Sequence, residues 1–166
     1  MARFYTYGWQ YTEARNEPEG EPLAHAAGSR FTSRGIEPGD IVYIVAVHQG
    51  MMHLLGKMAV GAIVGKDEAR RIFGAEPYDA PEHLIASACT TARLKVVPAE
   101  VARELRFVSR SGSDALVFRE DGTLDPQTLR GIRELEGESS ERVDTLLEPM
   151  APFVPPAQRD AIDRLA

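Results

Sequence analysis

The chain has 166 residues and a formal net charge of −6, with 43% hydrophobic and 27% charged residues. These values suit one folded domain with an appendage, and the acidic balance argues against nonspecific DNA binding, because phosphate neutralisation supplies most of that affinity. No apolar run approaches the roughly 20 residues of a membrane helix, and the N-terminus has no signal-peptide pattern. Cys89 is the single cysteine, so an intrachain disulfide is excluded, and we expect a cytoplasmic protein without membrane association.

The first third of the chain predicts a strand, a loop and a short helical turn. Aromatic and polar residues alternate over residues 3–7, and this period of two indicates a strand. Residues 13–21 are polar and contain proline and glycine, which favours a mobile loop. Residues 23–27 favour one turn of helix, ended by Gly28.

The most regular stretch predicts a β-hairpin. Pro38 and Gly39 mark a turn, because proline fixes φ and glycine permits a positive φ. Apolar, β-branched runs follow over residues 41–47 and 51–64, and such runs are typical of buried strands. We expect the central hairpin of a small β-barrel, in which the two glycines of the second run mark bulges.

Short helices and strands are predicted between residues 66 and 119. Glycine after the first helix and proline before the second one mark their ends. The predicted helices cover residues 66–73 and 99–105, the predicted strands cover residues 83–88, 92–97, 106–108 and 115–119, and residues 77–81 form a turn.

The C-terminal part contains the clearest helix signal. Asp125 is a suitable N-cap and Pro126 suits the first helical position. Leu129, Ile132 and Leu135 then recur at helical spacing. A second helix is predicted around Val143, Leu146 and Leu147, and a weak amphipathic helix follows in the proline-rich tail.

Two pairs of residues could support catalysis or metal binding. Cys89 and His83 could form a nucleophile pair, although a free cysteine beside alanine is more often a small core residue. His48 and His53 flank the hairpin turn and could share a metal ion, although no cysteine lies nearby. We therefore predict a noncatalytic protein without a metal ion or cofactor.

Aromatic residues near the N-terminus suggest a binding site. The relevant ones precede the long apolar strands: Tyr5, Tyr7, Trp9, Tyr11 and Phe31. Aromatic rings at the mouth of a barrel can stack on a nucleic-acid base, and each stack contributes roughly 1–3 kcal/mol. Ser33 and Arg34 could supply hydrogen bonds to a base edge and a phosphate. The alternative is that Phe4, Tyr7 and Phe31 only close one end of the barrel.

The order of these pieces resembles the PUA-like superfamily, closest to its EVE and ASCH branches. The turn over residues 35–40, which leads into the strand over residues 41–45, is similar to the corresponding part of those domains. Residues 56–64 resemble the strand that follows there. An aromatic first strand ending near Trp9 also fits, and the resemblance covers roughly residues 1–120.

This resemblance implies an α+β fold class. The expected architecture is a small mixed, mainly antiparallel PUA-like pseudo-β-barrel with short helices at its openings. The barrel domain would cover residues 1–122. Residues 123–166 would form a C-terminal helical extension and a proline-rich tail packed on it.

The resemblance also implies a module that binds DNA or RNA and holds a modified or flipped base in a concave pocket. The implied base-binding residues are Tyr7, Trp9, Phe31, Ser33 and Tyr43. Arg34 and Arg130 would meet phosphate.

A second interpretation is a protein-interaction or regulatory module. Its docking surface would be the acidic helices predicted over residues 125–148, together with the proline-rich tail. Salt dependence distinguishes the two functions, because oligonucleotide binding weakens with salt in proportion to the phosphates contacted.

Overall fold

The structure of the protein is a computed structural model that describes residues 1–74 and 79–165, in which ten strands form one sheet. The strands are β1 (Phe4–Gly8), β2 (His25–Gly28), β3 (Ile41–His48), β4 (Met51–Val64), β5 (Glu82–Cys89), β6 (Lys95–Val96), β7 (Arg106–Ser109), β8 (Gly112–Ala115), β9 (Ile132–Leu135) and β10 (Ala151–Pro152). The helices are α1 (Tyr11–Asn16), α2 (Lys66–Phe73), α3 (Ala99–Glu104), a 3₁₀ helix (Pro126–Leu129), α4 (Gly137–Asp144) and α5 (Pro156–Leu165).

The sheet is open and mainly antiparallel. Its strand order is β10-β5-β4-β3-β1-β9-β7-β8, with β2 paired to β5 and β6 paired to β4. β1 and β3 run parallel, whereas the other paired strands are antiparallel. The expected mixed, mainly antiparallel fold is therefore confirmed. Closure into a barrel is not, because the order ends at β10 and β8 and no pairing among the described residues joins those two strands.

β3 is apolar on both faces because each face meets its own core. Side chains alternate along a strand, so neighbouring residues of β3 enter different cores. The first core includes Tyr5, Phe31, Val42, Ile44, Met58 and Leu84. The second core includes Tyr43, Val45, Leu54, Leu105, Phe107 and Leu135. The position of a residue along β3 therefore decides on which side of the sheet its side chain lies.

The predicted hairpin is confirmed as β3 and β4. Gln49 and Gly50 form its turn with φ angles of 51° and 72°, the left-handed values of a two-residue hairpin loop. The pairing of β4 skips Leu55 on the β3 side and Gly61 on the β5 side. These bulges bend the long strand and increase its twist.

Residues 23–27 do not form the predicted helical turn. His25–Gly28 is β2, and it pairs antiparallel with β5, so that Ala26 lies opposite Leu84. The alanine-rich sequence has only a weak local preference, and hydrogen bonding to β5 outweighs it.

The helix predicted from Asp125 is wrong beyond its first turn. Asp125 caps that turn, since its carboxylate accepts a hydrogen bond from the N–H of Gln127 at 3.0 Å. Gly131 then adopts a φ of 73°, and the chain continues as β9, which pairs with β1. Pairing in the sheet outweighs the helical spacing of the leucines and isoleucine.

Most of the other predicted elements are confirmed. The helices expected at residues 66–73 and 99–105 are α2 and α3, and the strands expected at residues 83–88 and 106–108 are β5 and β7. The strand expected over residues 92–97 shortens to β6, and the strand expected over residues 115–119 lies earlier, at β8. The turn expected over residues 77–81 falls partly outside the described residues.

The residues after 122 contribute both strands and helices. β9 joins the middle of the sheet beside β1, and β10 extends its edge beside β5. No helix in the described ranges combines the length and the apolar character needed to cross a lipid bilayer.

Candidate functional site

A cavity of about 550 Å³ opens beside the end of β1, on the side of the sheet that carries the first core. Its volume lies in the range of about 300–1,000 Å³ that is usual for small-molecule sites. β2 forms one wall, and its small residues Ala26 and Ala27 leave space above the strand. The described lining also comes from α1 and the loop after it, from the end of α2 and from the start of α5.

Two aromatic side chains line the cavity near the end of β1: Tyr7 belongs to the strand and Trp9 directly follows it. Tyr7 is fixed by its hydroxyl, which donates to the carbonyl oxygen of Ala27 at 2.8 Å, and by edge-on packing against Phe31 at 5.2 Å between ring centroids. Trp9 is tied to the sheet by its backbone N–H, which donates to the carbonyl oxygen of Val45 at 2.8 Å. The sheet therefore fixes the backbone positions from which the side chains of Tyr7 and Trp9 extend.

The other aromatic side chains of the wall come from distant parts of the sequence. Phe73, the last residue of α2, and Phe153, just after β10, have ring centroids 6.3 Å apart. The Phe73 ring also lies 4.9 Å from the imidazole of His25. These rings and the first pair give the cavity several apolar faces.

His25 carries a free acceptor atom at the cavity wall. His83 Nε2 lies 2.9 Å from the carbonyl oxygen of Ala80, and because a carbonyl only accepts, that nitrogen holds the proton. When the His83 ring carries only that proton, its Nδ1 accepts a hydrogen bond from His25 Nε2, which is 2.7 Å away. His25 Nδ1 is thus left unprotonated, with no hydrogen-bond partner in the described part of the chain.

Burial, reinforced by the neighbouring His83, lowers the pKa of His25 to about 4. In the unfolded chain a histidine titrates near pH 6.5. As the pH falls from about 6.5 to 4, the unfolded state takes up a proton that the folded state does not, so folding stability decreases over that window. Near pH 7 the His25 ring is neutral and its Nδ1 can accept a hydrogen bond from a ligand.

The variant His25→Gln tests this titration. Its side-chain amide can still donate to His83, but it cannot take up a proton. We expect wild type to lose about 2 kcal/mol more folding stability than the variant between pH 6.5 and 4. Urea unfolding at several pH values measures the difference. The carboxylates are common to both chains, so their contributions to the pH dependence of stability cancel. Parallel pH curves for the two chains would contradict the assignment.

The described lining of the cavity is acidic. Its charged members are the four carboxylates of Glu13, Glu17, Glu21 and Asp79 and one guanidinium, that of Arg159. Burial raises the pKa of Glu17, and burial followed by the nearby Glu13 carboxylate raises the pKa of Tyr7. The cavity is therefore poorly suited to a phosphate group.

Two of the base-binding residues expected from sequence, Tyr7 and Trp9, line the cavity, and the others lie elsewhere. Phe31 and Tyr43 are both fully buried; Phe31 supports Tyr7 from the first core, whereas Tyr43 faces the second core on the opposite side of β3. Ser33 is exposed on the surface, and its hydroxyl donates to the carbonyl oxygen of Arg30.

The expected phosphate-binding residues do not come together at the cavity. Arg34 and Arg130 are both exposed, and neither belongs to the described lining. The guanidinium of Arg130 donates to the side-chain oxygen of Gln127 at 3.4 Å.

Tyr43 instead takes part in a partly buried polar cluster beneath α4. Its hydroxyl donates to the carboxylate of Asp144 at 2.7 Å, and Lys57 Nζ contacts the same oxygen at 2.7 Å. Burial, with the Asp144 carboxylate as a further cause, strongly raises the pKa of Tyr43. This cluster fixes the end of α4 to β3 and β4.

The residues of the catalytic and metal sites considered from sequence lie at separate places in the fold. Cys89 is buried, and burial raises the pKa of its thiol, which disfavours the reactive thiolate. His83 lies at the other end of β5 and pairs with His25. The rings of His48 and His53 are 6.1 Å apart, and Tyr11 stacks on His48 at 3.7 Å. Within the described residues, no three His, Cys, Asp or Glu side chains are grouped to hold a metal ion.

Sequence reasoning missed His25, Phe73, Phe153 and the carboxylates of the cavity. A partial signal for the carboxylates was present: Glu13 and Glu17 lie four residues apart, a spacing that places side chains on one side of a helix, and α1 covers Tyr11–Asn16. No comparable signal joins the two phenylalanines to β1, because that contact depends on the fold.

The fold and the cavity define a mixed α/β protein with an open, mainly antiparallel sheet and a ligand-sized site on one face. No protein-family model matches the sequence, and no curated protein matches it either.

Proposed function

We propose that the protein is a noncatalytic module, related to the PUA-like superfamily, that holds a nucleic-acid base in the cavity beside Trp9. The observation that carries this proposal is a base-sized cavity with Tyr7 and Trp9 in its wall. Stacking of bases on such rings contributes roughly 1–3 kcal/mol for each base. The resemblance over residues 35–64 supports the same function, since that segment includes Val45 of β3, whose carbonyl oxygen accepts the hydrogen bond that anchors Trp9.

Hydrogen-bonding groups in the wall suit a base edge. The unprotonated Nδ1 of His25 accepts only, and the carboxylates of Glu13 and Glu17 accept as well. Exocyclic amino groups and ring N–H groups of bases are donors that match such acceptors. The base would therefore present its donor edge to the wall and its faces to the aromatic rings.

Phosphate contributes little to this mode of binding. The charged groups of the described lining are mostly carboxylates, and Arg34 and Arg130 lie outside it. A nucleoside, or a single nucleotide extruded from a strand, fits the site better than a run of phosphates. Binding to this site should consequently depend only weakly on salt concentration.

The substitution Trp9→Ala tests the proposal. Nucleosides of the common bases are titrated by calorimetry, and wild-type binding can also be followed by the fluorescence of Trp9, the chain's single tryptophan. We expect at least one nucleoside to bind, and Trp9→Ala to weaken it about tenfold or more, since one stack is lost. The melting temperature should stay within a few degrees, because Trp9 is only partly buried.

A matched control is Tyr11→Ala, which removes a neighbouring aromatic ring that stacks on His48 outside the described lining. It should leave nucleoside affinity unchanged. Absence of binding for every nucleoside would refute the proposed function. Unfolding of the Trp9 variant would instead assign Trp9 to the core.

A further inference from the structure

Three carboxylates in the cavity have no partner among the residues that the structure describes. Glu13, Glu17 and Glu21 line one side of it, and within residues 1–74 and 79–165 none of their carboxylates makes a hydrogen bond or an ion pair. The fourth, Asp79, contacts Lys66 Nζ at 3.2 Å. Glu17 is only partly exposed, and a carboxylate that is removed from water without a counter-charge is destabilised. A cationic ligand would relieve that cost.

The aromatic wall already holds a positive charge. The guanidinium carbon of Arg159, from α5, lies 5.6 Å from the ring centroid of Phe153, within the distance at which a cation is attracted by the face of an aromatic ring. Both residues belong to the described lining. The wall therefore accommodates a planar, delocalised cation beside Phe153.

We propose that the cavity selects a positively charged base, of the ring-N-alkylated class, over a neutral base of the same size. This inference rests on the proposed function, because it assumes that the ligand is a base. The rings stack on the planar cation, and the carboxylates of Glu13 and Glu17 neutralise its charge. A neutral base gains the stacking and can donate hydrogen bonds to those carboxylates, but it leaves their negative charges without a counter-charge.

Two isomeric nucleosides separate charge from size. 1-Methyladenosine is a protonated cation near neutral pH, whereas N6-methyladenosine has the same non-hydrogen atoms and is neutral, and neither carries phosphate. Titrations at about pH 7, followed by Trp9 fluorescence and by calorimetry, give the two affinities. We expect 1-methyladenosine to bind at least about tenfold more tightly, in line with a desolvated cation–π contact and ion pair.

Variants assign the preference to particular residues. Glu17→Gln should reduce the affinity ratio about threefold or more, because the amide oxygen still accepts a hydrogen bond from either base whereas the negative charge is lost. Glu19→Gln, on the same loop but exposed and outside the described lining, is the matched control and should leave the ratio unchanged. Arg159→Gln should raise the affinity for 1-methyladenosine several-fold, because it removes a competing cation. Circular dichroism checks that each variant is folded.

The outcomes distinguish the two proposals. Equal affinities for the two isomers, or tighter binding of the neutral one, overturn the charge preference and leave the proposed function standing. Failure of both isomers and of all common nucleosides to bind overturns both. A tenfold preference that Glu17→Gln and Glu19→Gln leave equally intact overturns the assignment to the unpaired carboxylate.

Discussion

Replacing Phe31 with alanine is expected to lower the free energy of unfolding by about 3–5 kcal/mol. The Phe31 side chain is fully buried in the first core, and its ring packs edge-on against Tyr7 at 5.2 Å. Truncation leaves a cavity that the neighbouring strands cannot fill. Chemical unfolding followed by circular dichroism measures the loss.

Ser33→Ala is the matched control, because Ser33 is exposed two residues away. It should change the free energy of unfolding by less than about 0.5 kcal/mol. The comparison also separates two roles for Phe31. A variant that keeps its stability but no longer binds nucleosides would show that Phe31 is a stacking residue, as the sequence suggested, and would contradict its placement in the core.

Asp144→Ala is expected to destabilise the protein by about 2–3 kcal/mol. The carboxylate contacts both Lys57 Nζ and the Tyr43 hydroxyl, each at 2.7 Å. The Lys57 side chain is only 13% exposed, so the variant leaves a charge with little access to water and no counter-charge. It also leaves the hydroxyl of the buried Tyr43 without its nearest acceptor.

Two further variants test the origin of this effect. Glu141→Ala, on the exposed side of α4, should change stability by less than about 0.5 kcal/mol. Adding Lys57→Met to Asp144→Ala should recover about 1–2 kcal/mol, because the unpaired charge disappears. Strict additivity of the two substitutions would show that Lys57 and Asp144 are not coupled.

The sequence predicts those elements whose signals are local. Two apolar runs joined by a tight turn define β3 and β4, and glycine or proline marks the ends of α2 and α3. The segment from Asp125 shows the limit of this reasoning. Its N-cap is correct, yet the helix ends after one turn because β1, far away in the sequence, offers a pairing partner. Local propensity cannot reveal that competition.

The residues of the candidate site also differ in whether the local sequence reveals them. Tyr7 and Trp9 were predictable, because they are aromatic residues outside the long apolar runs. Tyr43 was not, since alternation along β3 shows that it faces away from Val42 and Ile44 but does not show which face carries a cavity. Phe153 lies in the cavity wall only because β10, which precedes it, pairs with β5 at the edge of the sheet.

The position of β1 has a consequence for the kinetics of folding. β1 is held on one side by β3 and on the other by β9, where Phe4 lies opposite Leu135. During synthesis this strand leaves the ribosome long before β9, and its free edge stays available to other chains until the later segment arrives. Contacts so distant in sequence close slowly, because a long loop must be ordered first. The centre of the sheet, and with it the anchoring of Trp9, is therefore completed late in folding.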